Sequence, residues 1–403
     1  MSTSILYHGF GVVGYRYKST SYQEGDLVFT IEKDRSSLRC PCCKSGEVTR
    51  RGALPRWFKT VPIGSKRVFI KLFIPRVFCR ICGIVRQINL GFANDRRTYT
   101  RAFERYTLEL SRHMTIKDVA DHLGVSWDIV KDIQKRYLAK KFARPPLKHL
   151  ELIAIDEISV GKNHRYLTVV LDLLSGAVVY VGDGKGADAL LPFWRKLKRS
   201  SASITAVAMD MSPAYIAAVT EHLPKATIVF DHFHLIKLFN DKLAALRRDL
   251  QRDAQKAGKR VLKGTRWLLL KNQENLRAER NEQQRLQEAL SLNEPLAIAY
   301  YLKEDLRRLW LQASKHQASL FLDDWLERAR ISGVKMLVSF ADTLEKHRDG
   351  ILAYYDYPIS TGPLEGTNNK IKTLQRQAYG FRDMQFFKLK IFGLHETKYA
   401  LLG

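Results

Sequence analysis

Residues 151–182 read ELIAIDEISVGKNHRYLTVVLDLLSGAVVYVG. Three short apolar runs, Leu152–Ile158, Tyr166–Leu173 and Ala177–Gly182, are separated by the turn formers Gly161–Asn163 and Ser175-Gly176. β-Branched residues are frequent in the runs, and each run has strand length. The pattern predicts three antiparallel strands joined by tight turns. Downstream, Ile204–Met209 and Thr227–Phe230 read as two further strands, preceded by helical stretches at 188–198 and 213–222. A strand reached through a helix joins its sheet in parallel, so the expectation is a single sheet with helices packed on it.

Beyond it, residues 235–355 turn long, helical and highly charged, with Trp267, Trp310 and Trp325 as expected core anchors; another helix is expected over 361–379. Before it, Arg144-Pro145-Pro146-Leu147-Lys148 reads as a linker, because consecutive prolines do not continue a helix. The expected organisation is an N-terminal region 1–98, a helical domain 99–143, a core 151–239, a helical insertion 240–355 and a final core segment 356–403.

Charge narrows the partner. The 403 residues hold 67 Lys and Arg against 41 Asp and Glu, a formal net charge of +26. Such an excess disfavours a neutral metabolic enzyme and points to a polyanion, either nucleic acid or an anionic membrane surface. No run of 18 apolar residues occurs, so no membrane span is expected. The first residues lack a basic stretch before their apolar part; no signal peptide is read, and a cytoplasmic location follows as the expectation. Within 51–100, eleven Lys or Arg face one acid, Asp95, a density that suits phosphate contact.

Two motifs sit in or beside this basic region. Cys40-Pro-Cys-Cys43 and Cys79-Arg-Ile-Cys82 are paired C-x2-C knuckles, each able to present two thiolates from one turn. The alternating segment Arg67–Ile74 between them reads as a hairpin strand, which makes a zinc ribbon with Cys40, Cys43, Cys79 and Cys82 as structural zinc ligands and Cys42 as the odd thiol. Residues 116–135, IKDVADHLGVSWDIVKDIQK, read as a helix-turn-helix. Val119, Ala120 and Leu123 form one apolar face, Gly124 permits a left-handed turn, and Ile129, Val130 and Ile133 form the second face. The second helix would enter a DNA major groove with Ser126, Trp127 and Lys131 at its exposed front, while Arg67 would grip phosphate.

Three acids carry the chemistry. Asp156 lies inside an apolar strand, where a carboxylate is unfavourable without a partner. Asp210 ends the fourth strand, which neighbours the first in a ribonuclease-H-like sheet. Glu365 opens a helix in Ser360-Thr-Gly-Pro-Leu-Glu-Gly-Thr-Asn-Asn-Lys370. Leu364, Thr367, Ile371, Leu374 and Ala378 would dock that helix; Glu365, Asn368, Asn369, Lys372 and Arg376 would form its polar face. Three converging carboxylates call for divalent cations, here two Mg2+ (or Mn2+) ions serving phosphodiester chemistry. Asn369, Asp231 and His234 are expected to back up the ligands; Asp231 and His234 are equally placed to touch DNA or cap the next helix. Lys372 and Arg376 are expected DNA contacts.

These stretches together resemble the bacterial insertion-sequence transposases of the ISL-three type, which have a DDE triad. The matching segments are Ala154–Ser159, Tyr166–Asp172, Asp210–Tyr215, Pro224–Leu235, Pro363–Lys372 and Ala378–Arg382. The resemblance covers nearly the whole chain and implies an α/β multidomain protein: a ribonuclease-H-like catalytic core with a helical insertion, preceded by a zinc ribbon and a helix-turn-helix. It implies binding to terminal inverted repeats and target DNA, and metal-dependent cleavage and joining by Asp156, Asp210 and Glu365. A homodimer or larger assembly on DNA is expected. A ribonuclease-H-like nuclease that cuts without joining, or an inactive DNA-binding regulator, are the rival classes.

Overall fold

The computed structural model describes residues 4–161, 165–253, 265–291 and 293–395. Residues 162–164, which include part of the expected turn at Gly161–Asn163, lie outside the described residues, as do 254–264 and 292 of the expected insertion and 396–403 of the final segment. The chain divides into two compact units, Met1–Lys141 and Phe142–Gly403.

The first unit is built on a five-stranded mixed sheet. Its strands are β1 Arg16–Gln23, β2 Asp26–Glu32, β3 Val48–Ile63, β4 Lys66–Cys79 and β5 Val85–Gln87, in the order β1-β2-β4-β3 with β5 also paired to β4. The β3–β4 hairpin turns at Gly64, whose φ of +59° suits a residue without a side chain. Along β4, Val68, Ile70, Leu72 and Ile74 are buried, while Phe69, Lys71 and Phe73 between them stay at least partly open. That period of two fixes which face meets the core. The hairpin strand expected at Arg67–Ile74 thus runs longer and forms part of a wider sheet.

Three helices follow: α1 Arg101–Leu110, α2 Ile116–Leu123 and α3 Trp127–Phe142. Thr115 and Asp118 form a reciprocal capping box at the start of α2, and Gly124 ends it at φ +57°. Phe103, Val119, Ala120, Leu123, Val130 and Ile133 make one buried cluster. α1, which the residue pattern did not single out, supplies Phe103. The hairpin meets the helices directly: Lys59 Nζ donates to the Gly124 carbonyl at 2.8 Å, and the Thr60 and Thr100 hydroxyls lie 3.0 Å apart in the interior.

The second unit contains β6 Leu152–Gly161, β7 Arg165–Asp172, β8 Val178–Asp183, β9 Ala206–Met209 and β10 Thr227–Phe230, in the order β10-β9-β6-β7-β8. β6, β7 and β8 are antiparallel; β9 and β10 add in parallel, with β9 against β6. α4 Ala187–Leu197 and α5 Pro213–His222 join β8 to β9 and β9 to β10. Strand alternation splits β6 between two cores: Ile153 and Ile155 join the cluster that includes α4 and α5 residues. Ala154, Ile158 and Val160 join the other, with Leu364 and Ile371 of α12 Gly362–Gln377 and Phe387 and Ile391 of α13 Met384–Phe392.

Between β10 and α12 runs the helical segment: α6 His232–Asp253, α7 Glu282–Ser291, α8 Glu294–Leu306, α9 Lys315–Ile331, α10 Lys335–Lys346 and α11 Arg348–Leu352, with shorter turns between. Trp325 is fully buried and its indole donates to the Leu302 carbonyl at 2.9 Å; Trp310 packs at the edge. Trp267 differs from expectation and is 66% exposed. Its short helix Arg266–Leu270 buries Leu268 and Leu269, so Trp267 falls on the outer side beneath the Arg266 guanidinium. Ala378 is likewise exposed, because α12 ends at Gln377 and its stripe stops at Leu374. Among the described residues no helix is long and apolar enough to cross a membrane.

Gly350 allows α11 to lie flat on the end of β10. A Cβ there would sit 2.4 Å from the Phe230 ring. Gly350→Ala should therefore destabilise the chain by roughly 1–3 kcal/mol through overpacking, read as a lower urea midpoint with an unchanged slope.

Candidate active site and metal centre

The second unit gathers polar side chains where β9 and β10 end beside the middle of β6. The β6–β9 register pairs Leu152 with Ala206 and Ala154 with Ala208. Carried on at the same offset, it sets Asp156 beside Asp210. Burial pushes the Asp156 carboxyl up to about 6, against the pull of the Glu157 amide and His234; the charges of Glu157 and Asp210 add to the rise. Its Oδ1 accepts from the Glu157 N–H at 2.8 Å, and its Oδ2 accepts from Asn368 Nδ2 at 2.8 Å. Asp210 Oδ1 accepts from the Ser212 N–H at 3.0 Å, which stiffens the turn into α5.

Asn368 reaches Asp156 from α12, one turn after Glu365. At 3.6 residues per turn the two lie roughly 60° apart around the helix. Asn368 is buried at the edge of the docked face, and Glu365 is exposed beside it. Asn369 turns outward and is exposed, so it does not support Asp156; the adjacent Asn368 does. The duplicated Asn-Asn was the available signal, and only the helix phase relative to Leu364 and Ile371 separates the two. Lys372 and Arg376 lie exposed on the Glu365 side.

Asp231 follows β10 directly and is buried. It accepts from the Thr361 hydroxyl at 2.7 Å, and its Oδ2 lies 3.0 Å from His234 Nδ1. Thr361 immediately precedes α12, so this triplet ties the start of the Glu365 helix to the end of β10. Burial by itself would raise Asp231, but the bonds from His234 and Thr361 leave its carboxyl below the ordinary range. His234 is raised, first by its bond to Asp231 and then by the charges of Asp156, Asp231 and Asp210, against burial. Glu157 lies on the opposite face of β6, with a Tyr215 hydrogen bond; burial and then Asp210 raise it.

The electrostatics fit a cation. Among the described residues, Asp156, Asp210 and Glu365 make no ion pair with Lys or Arg, and the Asn368 carbonyl oxygen and Asp231 Oδ1 are buried without a hydrogen-bond partner. The three carboxylates are not drawn into one tight cluster, however. Among the described residues the one group of three or more Cys, His, Asp or Glu placed to hold a metal ion is the four-cysteine group, whose ligand atoms lie within 4.8 Å of one another.

That group is Cys40, Cys43, Cys79 and Cys82. The hairpin brings the knuckles together: Val48 pairs with Cys79 at the open end of β3–β4. Sulfur separations are 4.0 Å for Cys40–Cys82 and 3.5 Å for Cys43–Cys79. Four converging thiols make a complete tetrahedral ligand set and suit structural zinc. Cys42 is exposed and outside the group.

In the helix-turn-helix, Ser126 and Trp127 are exposed, and Lys131 Nζ lies 5.8 Å from the Trp127 ring centroid. Arg67 is exposed but forked onto Asp26 at 2.7 and 2.9 Å.

Residues 153–391 match a family model described as "Transposase" (DDE_Tnp_ISL3), and residues 88–138 match the "Helix-turn-helix domain of transposase family ISL3". The chain is 33% identical over 346 residues to the "Transposase for insertion sequence element IS1001" of Bordetella parapertussis, covering 83% of each chain. It is 30% identical over 392 residues to the "Transposase for insertion sequence element IS1557" of Mycobacterium tuberculosis, covering 90% of this chain and 87% of that one. A solved structure, the "Drosophila P element transposase strand transfer complex", aligns with a TM-score of 0.37 and 13% identity over 76% of this chain and 94% of that one.

Asp231→Asn should lower the His234 titration toward its ordinary value, read by NMR of the imidazole. The raised His234 supports folding fully below the unfolded His pKa of about 6.5 and loses that support as pH rises through its folded value. The depressed Asp231 supports folding above the unfolded Asp pKa of about 3.9 and loses it as pH falls. The stability gap between wild type and variant should therefore be widest between those limits, on the order of 2 kcal/mol.

Proposed function

The chain belongs to the ISL3 family of insertion-sequence transposases, and we propose that Asp156, Asp210 and Glu365 form its DDE triad on a ribonuclease-H-like core. The observation that carries this is the Asn368–Asp156 hydrogen bond, which fastens the helix bearing Glu365 to the strand bearing Asp156. The enzyme is a DNA-cutting transposase with a helix-turn-helix DNA-binding domain.

In this proposal the three carboxylates would hold two Mg2+ or Mn2+ ions. Such ions, when bound, supply Lewis acidity for an attacking oxygen and neutralise charge on the phosphate. The chain's own residues set the geometry. Asn368 holds the Asp156 carboxylate in one orientation. Thr361, Asp231 and His234 hold the start of α12 against β10. Lys372 and Arg376, on the Glu365 side, attract the DNA backbone. The proposed reaction is hydrolysis that frees a 3′ hydroxyl, then in-line attack of that hydroxyl on target DNA without a covalent enzyme intermediate.

Recognition of terminal inverted repeats is assigned to the first unit. Ser126, Trp127 and Lys131 would meet base edges, and the basic segment would hold phosphate, with Arg67 shared between phosphate and Asp26. One zinc ion on Cys40, Cys43, Cys79 and Cys82 would hold the hairpin end in shape. The working location is the cytoplasm, and the working form on paired ends is a homodimer or larger. The 240–355 insertion would brace DNA or a second subunit.

Glu365→Gln keeps shape and hydrogen bonding while removing a charge. It should leave end binding near wild type and abolish both cleavage and strand transfer in Mg2+. Asp156→Asn and Asp210→Asn should do the same, and paired changes should be no worse, because the three act as one unit. Cleavage by Glu365→Gln at near wild-type rate would refute the triad. Separately, Cys79→Ser should release one zinc per chain by elemental analysis and weaken DNA binding, while the second unit keeps its thermal transition; protein purified without chelator and found free of zinc would refute that site.

A further inference from the structure

Two arginines of the basic segment are paired with acids, and four others share one cleft. Arg67 is neutralised by Asp26, and Arg97 by Asp132 at 3.1 Å. Arg76, Arg86 and Arg96 have no carboxylate partner among the described residues, and with Arg56 they line one open cleft of about 570 Å3. One wall is the cysteine-capped end of the β3–β4–β5 sheet. The other is the 88–96 segment that leads into α1. Asp95 is the one acid lining it.

Four arginines against one aspartate leave the cleft strongly positive, which favours an anion among them. Arg56 is braced by stacking over Phe58 at 5.3 Å and by donating to the Arg97 carbonyl at 3.2 Å. Arg96 occupies a left-handed conformation, φ +61°, where an L side chain is disfavoured. A glycine or asparagine would sit there with less strain, so the turn carries its guanidinium at a cost, as functional positions often do. Guanidinium groups drawn from β3, β4, β5 and a loop are spread over several elements, which suits successive phosphates of a strand better than one small anion.

We propose that this cleft is the backbone grip of the first unit: it takes the sugar–phosphate strand of duplex DNA, held by Arg76, Arg86 and Arg96 around a fixed Arg56. The proposal rests on the assignment of DNA recognition to this unit and makes the cleft, rather than Arg67, its main phosphate contact. Its placement between the cysteine group and α1 links that end of the hairpin to DNA affinity, with Cys42, which stands outside the four-cysteine group, in the cleft wall.

The test is the salt dependence of binding to random-sequence and element-end duplexes by the full chain. Each phosphate contact contributes about 0.9 to the slope of log affinity on log salt. Arg76→Gln, Arg86→Gln and Arg96→Gln together should therefore flatten the slope by about 2.7. They should weaken both duplexes by the same factor and leave discrimination between them intact. The matching triple Lys variant should keep the wild-type slope. Arg67→Gln should change the slope by less than one contact. A wild-type slope in the triple Gln variant overturns the cleft while leaving end recognition standing. Loss of slope in the Lys variant equal to that in the Gln variant also overturns it, because the effect is then structural. Wild-type protein that binds neither duplex overturns recognition by this unit and the cleft with it.

Discussion

A carboxylate set in the middle of an apolar sheet needs a polar neighbour, and the second unit is arranged around supplying one to Asp156. Burial disfavours the charged form, and Asp210 beside it adds repulsion. The answer comes from α12, whose Asn368 donates to Asp156 across more than two hundred residues of chain. For that bond to form, α12 must dock through Leu364 and Ile371 on the face of β6 that holds Ala154 and Ile158. The docking fixes the phase of the helix, and the phase brings Glu365 to the solvent side of the same edge. One hydrogen bond thus couples the core packing to the placement of the proposed triad.

The start of α12 is held by the same kind of interaction. Asp231 is buried at the end of β10 and takes hydrogen bonds from Thr361 and His234. It lies between the sheet and a helical segment that runs from His232 to Tyr355 before the chain returns to Thr361. A long insertion would loosen a site split across it, since closing a longer loop costs more entropy. The Asp231–Thr361 bond closes that loop at the acid end. The first unit uses a different closure. Four thiols converge at the open end of a long hairpin, while Lys59 and Thr60 attach the hairpin to the helices.

Much of this was legible in the residues. Strand directions followed from the turn formers and the helical spacers between Leu152 and Phe230. The helix-turn-helix followed from the apolar faces on either side of Gly124, and the thiol cluster from two knuckles of fixed spacing. Local rules decide these features, because each depends on residues a few positions apart. Trp267 and Ala378 were harder. Large or apolar residues read as core unless the neighbouring element's position is known, and here Leu268 and Leu269 take the buried side.

The amino-acid sequence by itself determined which groups can do chemistry here: an acid inside a strand, an acid at a strand end, an acid at a helix start and four paired cysteines. It also determined the charge that draws a polyanion. Tertiary structure alone decided which side chain supports Asp156. Asn368 and Asn369 are chemically identical, and one step of about 100° around the helix separates a buried donor from an exposed one. It likewise decided which arginines are spent on Asp26 and Asp132 and which face the cleft. Pairing between residues far apart in the chain depends on where packing puts them, and composition carries no record of that.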